Sequence, residues 1–238
     1  MKLFLLLLTT LGSLGYLNAQ DKKPSQKILI GFSFSPDYSY RTLNQNSGEN
    51  SPVIDIRNNI EVAKAGFTAG VLVRFQISSL IDLETGVQFA NKGYQTKNRE
   101  LVYEEPAGPN DPTKACLKYV YQYIGIPLKV NFSFGNGRAR FVTGAGITTN
   151  FLLGARNIVH LEYASGKKES RSQTTTVDFR KIDLSPMISA GLDYRLCRNT
   201  RFIVEPTFRY GLLNTMDAPV PEHLWSAGLN LAIYRSIK

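Results

Sequence analysis

The chain is poor in the residues on which most catalytic and metal chemistry depends. Two histidines (His160, His223), two cysteines (Cys116, Cys197) and a single tryptophan (Trp225) occur in 238 residues. No Cys-x-x-Cys, no His-Glu-x-x-His and no histidine cluster is present, so zinc-finger, thioredoxin-like and zincin-type centres are excluded by spacing. No cofactor is expected. Long hydrophobic runs are also missing. Beyond the N-terminal leader no stretch approaches the ~18 uninterrupted apolar residues of a helical span. Acidic charge is the minority: 19 Asp and Glu stand against 28 Lys and Arg, a formal net charge of +9. The cations are scattered over strands, loops and tail among acids. A nucleic-acid surface gathers them on one face, so no nucleic acid is expected as a partner.

What is there begins with an export signal. Lys2 precedes the apolar run Leu3 to Leu8, and a small-residue stretch ends in Leu17-Asn18-Ala19. This is the three-part layout of a secretory leader, residues 1–19, with cleavage after Ala19. The apolar part is short of the ~20 residues of a membrane helix. No cysteine lies near the cleavage site, so no lipoprotein anchor is expected. Residues 20–26 form a short N-terminal segment, and 27–238 read as one domain. Losing Lys2 takes the charge from +9 to +8.

The mature chain alternates. In 66–77, Phe67, Ala69, Val71, Val73, Phe75 and Ile77 share one face, and Thr68, Gly70, Leu72, Arg74 and Gln76 the other. Strict period-two patterning over that length argues for a strand with one apolar and one polar face. The same pattern marks 27–38, 80–91, 117–134, 181–196, 201–212 and 223–237, and 138–153, which carries Gly144 and Gly146, is the least clean of the eight. Pro127 inside the fourth segment requires a bulge or a missing ladder bond. The connections alternate long, short, long, short, long, short, medium. The short ones include Ser78-Ser79 and the hairpin signal Gly135-Asn136-Gly137. The long ones, 39–65, 92–115 and 154–180, are polar, with Thr174 to Phe179 able to extend the wall. Strands this long exceed the 5–6 residues usual in soluble sheets. They suffice to cross a bilayer at a tilt.

The fold class expected is all-β: one eight-stranded antiparallel up-and-down transmembrane barrel, with short periplasmic turns, long outer loops and both termini periplasmic. Its apolar face would meet lipid, and Tyr94, Tyr119, Tyr194, Tyr210, Trp225 and Tyr234 would mark the interfaces. A soluble lipocalin-like barrel, with the apolar face turned in around a ligand, is the alternative. In the membrane arrangement the narrow interior is filled by a charge network of Arg74, Asp82, Glu84, Lys129, Asp183, Asp193, Arg195, Glu205 and Arg209. Mixed signs are what a plugged interior requires. No substantial pore is expected. The strand order puts Cys116 and Cys197 at opposite ends, beyond the ~7 Å a disulfide tolerates.

Tyr-Gln-Tyr-Ile-Gly-Ile-Pro-Leu-Lys-Val (121–130) resembles the fourth-strand signature of small outer-membrane barrels of Bacteroidetes, the PorT-like or outer membrane protein beta-barrel group. Thr143-Gly-Ala-Gly-Ile resembles its next strand, and cleavage before Gln20 is typical of it. Ser226-x-Gly228-x-x-Leu231-x-Ile233 resembles the C-terminal signal read by the barrel-assembly machinery, although the chain ends in Lys238 instead of an aromatic residue. The resemblance implies an integral protein of the bacterial outer membrane and brings no catalytic motif. The partners expected are outer-membrane lipid, lipopolysaccharide, the assembly machinery during insertion, and a protein met through the outer loops. An accessory role in type IX secretion is an alternative function. A lipid-modifying enzyme using His160, His223, Ser165 or Ser170 is the weaker one, because none of these sits in a nucleophile motif. The chain is therefore expected to be non-enzymatic.

Overall fold

In strand β1 (Ile28–Leu43) every second side chain is withdrawn from the surface: Leu29, Gly31, Ser33, Ser35, Asp37, Ser39 and Arg41. Their apolar neighbours Ile30, Phe32 and Phe34 are exposed. The polar residues are therefore the buried ones, the reverse of a soluble sheet. The computed structural model describes residues 27–44, 51–104, 108, 110–175, 179–216 and 218–237. The leader 1–19 and the segment 20–26 lie outside the described residues.

After β1 come helix α1 (Ser51–Ile60), β2 (Glu61–Gln76), β3 (Ile81–Thr96), the short β4 (Arg99–Glu100), β5 (Pro112–Phe134) and β6 (Ala139–Tyr163). Then follow β7 (Lys168–Thr175), β8 (Ile182–Cys197), β9 (Thr200–Tyr210) and β10 (Glu222–Ser236). Eight of these strands form an antiparallel ring in the order β1-β2-β3-β5-β6-β8-β9-β10, which β10 closes against β1 through pairs such as Phe32↔Ile233. Closure removes the free edges that an open sheet would leave. β4 and β7 stand outside the ring, paired to the far ends of β5 and β6. Turns 77–80, 135–138 and 198–199 lie at the end that carries both described termini, and the long connections lie at the other. No described helix is long and apolar enough to cross a membrane, and the candidate crossing elements are the strands.

Proline leaves a mark on the ladder. Between β3 and β5 the pairing skips from Thr85↔Leu128 to Gln88↔Gly125, with Pro127 in the gap. Between β8 and β9 it skips from Ser189↔Thr207 to Leu192↔Val204, with Pro206 in the gap. Both residues lack the N–H the ladder needs.

Several expectations are corrected. The first loop is not wholly irregular: β1 runs to Leu43, α1 occupies Ser51–Ile60 and β2 begins at Glu61. Strand also continues through much of 92–115 and 154–180, where β5, β6 and β7 rise above the ring. The apolar face points outward, so the lipocalin-like arrangement is not the one formed. The aromatic belt is only partly as expected. Tyr194 is exposed and Trp225 and Tyr210 are half-buried, but Tyr94 and Tyr234 are inside, 2% and 1% exposed. Tyr119 packs on Tyr94 with ring centroids 4.6 Å apart.

Candidate functional site

The interior is a stack of ion pairs between apolar layers. Toward the termini end, Asp193 Oδ2 accepts from Arg140 Nη2 at 2.7 Å and from Arg201 Nη1 at 3.2 Å. Asp82 is buried nearby. Leu29, Leu72, Val142, Ile203 and Ala232 form an apolar cluster with Tyr234. At the centre Arg74 grips Glu84 through Nε (2.8 Å) and Nη2, and Tyr234 donates to the same carboxylate at 2.9 Å. Lys129 Nζ lies 2.5 Å from Glu205 Oε1, and Asn230 and Ser189 complete the Glu205 shell at 3.0 Å each. A charge taken out of water is tolerated when it is paired in this way, although Arg74 Nη1 is buried here without a hydrogen-bond partner. Gly144 makes room for the pair: a Cβ there would collide with Lys129 and Asn131.

Farther along, Asp37 accepts from Ser35 and Thr68 at 2.6 Å each, and Arg209 Nη1 stands 3.5 Å from it. Asp183 accepts from Ser185 at 2.6 Å and Asn150 at 3.2 Å. Lys92 points at the Tyr123 ring, 5.7 Å from its centroid. The space left between Thr68, Gln88, Lys92, Asn150 and Arg209 is about 10 Å³, room for about one water.

At the long-loop end the barrel is covered. Tyr94, Tyr121, Tyr123, Ala90, Ala155 and Leu224 form an aromatic layer. Above it Arg57 of α1 reaches into the mouth and donates to Glu61 at 2.8 Å, Glu222 at 2.9 Å and the Tyr94 hydroxyl at 2.9 Å. Arg41 joins from β1, donating to Glu61 at 2.7 Å. Burial alone would favour loss of the Arg57 proton. The Glu61 hydrogen bond, Tyr94 and Glu222 outweigh it and hold the guanidinium above its ordinary value.

Of the nine charges expected inside, Arg74, Asp82, Glu84, Lys129, Asp193, Glu205 and Arg209 are buried and Asp183 is half-buried. Arg195 is the exception: it is still paired with Arg201 of β9, but it lies exposed at the termini end, next to the turn 198–199. The structure adds Asp37, Arg41, Lys92, Arg140 and Glu222, all on the same alternating faces, and the helix-borne Arg57. Cys116 and Cys197 are free thiols, one on the β5 extension and one at the opposite end. His160 Nδ1 lies 2.7 Å from Ser170 Oγ, but no carboxylate orients the imidazole among the described residues, so the third member of a nucleophile–base–orienter set is lacking. His223 Nδ1 is 3.2 Å from the Gly211 carbonyl. Among the described residues no three His, Cys, Asp or Glu side chains are grouped to hold a metal.

A closed ring of long strands, apolar outside and filled with paired charge inside, defines the class: a transmembrane β-barrel of the bacterial outer-membrane type. The particular family follows. The model of the outer membrane protein beta-barrel domain family matches residues 18–217, and the chain belongs to that family. No curated protein matches the chain. Neisserial surface protein A is similar in structure at 11% identity and TM-score 0.44, over 87% of this chain and 96% of that one. A major outer membrane protein from Thermus thermophilus gives 10% identity and TM-score 0.44, over 90% and 100%. The outer membrane protease OmpT from Escherichia coli gives 8% identity and TM-score 0.38, over 92% and 99%. At these identities no activity passes from them to this chain.

Proposed function

We propose that this protein is a non-enzymatic scaffold of the outer membrane that binds through its long-loop end. One observation supports the reading above the others. Among the described residues the interior carries ion pairs from the termini end to the mouth, Arg57 of α1 reaches over that mouth, and the space left beside Lys92 is about 10 Å³, which leaves little to conduct or to hold a small ligand. What differs from a minimal barrel is the projecting sheet of β5, β6 and β7 beyond the ring. Loops and extensions on a rigid scaffold are where binding resides.

In this reading both termini are periplasmic and the long-loop end faces outward. Outer-membrane lipid and lipopolysaccharide surround the wall, the assembly machinery is met during insertion, and a protein partner meets the projecting sheet. The PorT-like branch, to which 121–130 points, belongs to the same proposal, without a secretion role. The test is surface labelling of whole cells with a tag inserted in the turn Ala164-Ser165-Gly166 between β6 and β7. Labelling without permeabilisation is expected. Labelling only after the outer membrane is opened would reverse the orientation and overturn the proposal.

A further inference from the structure

Past the ring, the outer wall changes character on one side. Phe89, Ile124 and Phe151 form an outward apolar row across β3, β5 and β6. Above it on the same face the rows turn polar and cationic. Val120 pairs with Arg156, Lys118 sits between Gln95 and Ile158, and Cys116 pairs with His160, which pairs with Ser170. Period-two alternation puts Lys118 diagonal to both Arg156 and His160, within reach of long side chains. A cavity of about 390 Å³ opens there, lined by Gln95, Cys116, Lys118, His160 and Ser170 together with Glu162, Lys168 and Glu169, and Arg156 stands on the same face just outside that lining.

The charges in this place do not balance. Glu162 is engaged by Lys168 at 3.7 Å, and Glu169 by Arg171 and the Tyr163 hydroxyl at 2.8 Å each. Lys118 and Arg156 form no ion pair among the described residues, and Arg156 Nε is buried without a hydrogen-bond partner. Lys64, whose Nζ donates to Asn91 Oδ1 at 2.8 Å, is a further ammonium within electrostatic reach of Lys118. Burial, then the Lys118 charge, holds the His160 imidazole below its ordinary value. Near neutral pH it is therefore a neutral hydrogen-bonding group beside the unpaired Lys118.

We propose that this outward face binds the phosphate of a membrane-lipid headgroup, with Lys118 and Arg156 as its charge partners and Gln95 and Ser170 as neutral ones. The acyl chains of that lipid lie on the Phe89–Ile124–Phe151 row. A guanidinium and an ammonium side by side are the usual recognition set for phosphate. The apolar row on the same face, separated from Arg156 by the Asn91–Gln122–Gly154 row, selects a lipid over a free anion, because only a lipid uses both. The inference rests on the reading that this end emerges from the bilayer.

The two cysteines supply the experiment. Cys116 lines the cavity, while Cys197 is exposed at the opposite end and experiences the same bulk lipid charge. The mature chain is placed in nanodiscs of phosphatidylcholine, with or without phosphatidic acid, and iodoacetamide alkylation of each cysteine is followed by mass spectrometry. Phosphatidic acid is expected to slow Cys116 relative to Cys197 by about tenfold, the worth of one charge-assisted hydrogen bond. Lys118→Gln, and separately Arg156→Gln, are expected to erase most of that difference while the barrel still shows heat-sensitive gel mobility. Equal slowing of both cysteines would overturn the proposal. So would equal protection by inorganic phosphate in phosphatidylcholine discs, which would make the site one for free anions. A chain that folds in plain buffer and takes up no lipid would overturn the membrane reading, and this inference with it.

Discussion

At the centre of the barrel, one ammonium and one carboxylate with side chains 1% exposed face each other at 2.5 Å. Such a pair gives little net stability over an apolar replacement, but losing one partner strands the other. Glu205→Ala is therefore expected to destabilise the detergent-folded protein by about 3–5 kcal/mol, read as a lower urea midpoint. Lys129→Met combined with Glu205→Leu is expected to restore most of the loss. A single variant with an unchanged midpoint would mean the pair is hydrated in place. Residue parity made most of this network legible. Arg74, Glu84, Lys129 and Glu205 all alternate against apolar neighbours, and so does Asp37, which simply continues the series from Leu29. The same parity, applied to Tyr94 and Tyr234, puts them inside with Lys92 and Ala232. Their position near strand ends points to the interface only when their face is left out. Arg195 errs in the other direction: its face is right and it pairs with Arg201, but next to the turn 198–199 it is exposed.

Elements were legible where period two runs unbroken, and less so where composition resembles a loop. The eight ring strands are apparent from alternation alone. Helix α1 is not, although Ser51-Pro52 is a helix-start signature. Its Asn-rich surroundings read as coil, and Arg57, on the helix face that meets the mouth, has no strand to give it parity. That residue sets the helix in place. Arg57→Gln removes the charge from three contacts, and hydrogen exchange of the 51–60 amides is expected to rise by about tenfold or more. Exchange in β2 and β10 is expected to stay unchanged. Equal exchange in both forms would show that α1 is held by its backbone connections alone. The β6–β7 hairpin makes the complementary case. Among the described residues it pairs only with itself and the β5 extension, outside the ring. Replacing 157–175 by a short Gly-Ser turn is expected to leave the refolding yield and the urea midpoint intact. A chain that no longer refolds would make the extension part of the folding nucleus, not an appendage.

At the scale of the whole molecule the surface decides the solvent. Phe32, Val87, Leu128 and Ile188, on β1, β3, β5 and β8, are each more than half exposed. A girdle of this kind carries no stability in water, where apolar surface on all sides drives association. In a bilayer it costs nothing and hides the ring's polar contents. Inside, an eight-stranded barrel is only just wide enough for its own side chains, and the side chains here are salt-bridged across the bore. Two outcomes follow from one preparation of the chain from Gln20. Diluted from urea into detergent micelles it is expected to fold, migrating differently on a gel before and after boiling; diluted into buffer it is expected to aggregate. The folded form added to a planar bilayer is expected to give no large, stable conductance. The two results test different faces of the same wall. Folding without detergent would mean that the apolar girdle has found another cover. Steady conductance from pure protein would mean that the Arg74–Glu84 and Lys129–Glu205 pairs part in the membrane, leaving a hydrated bore. The Glu205→Ala variant separates that case: if the pairs gate a bore, it conducts more than the wild type, and if they only fill space, it is silent as well as less stable.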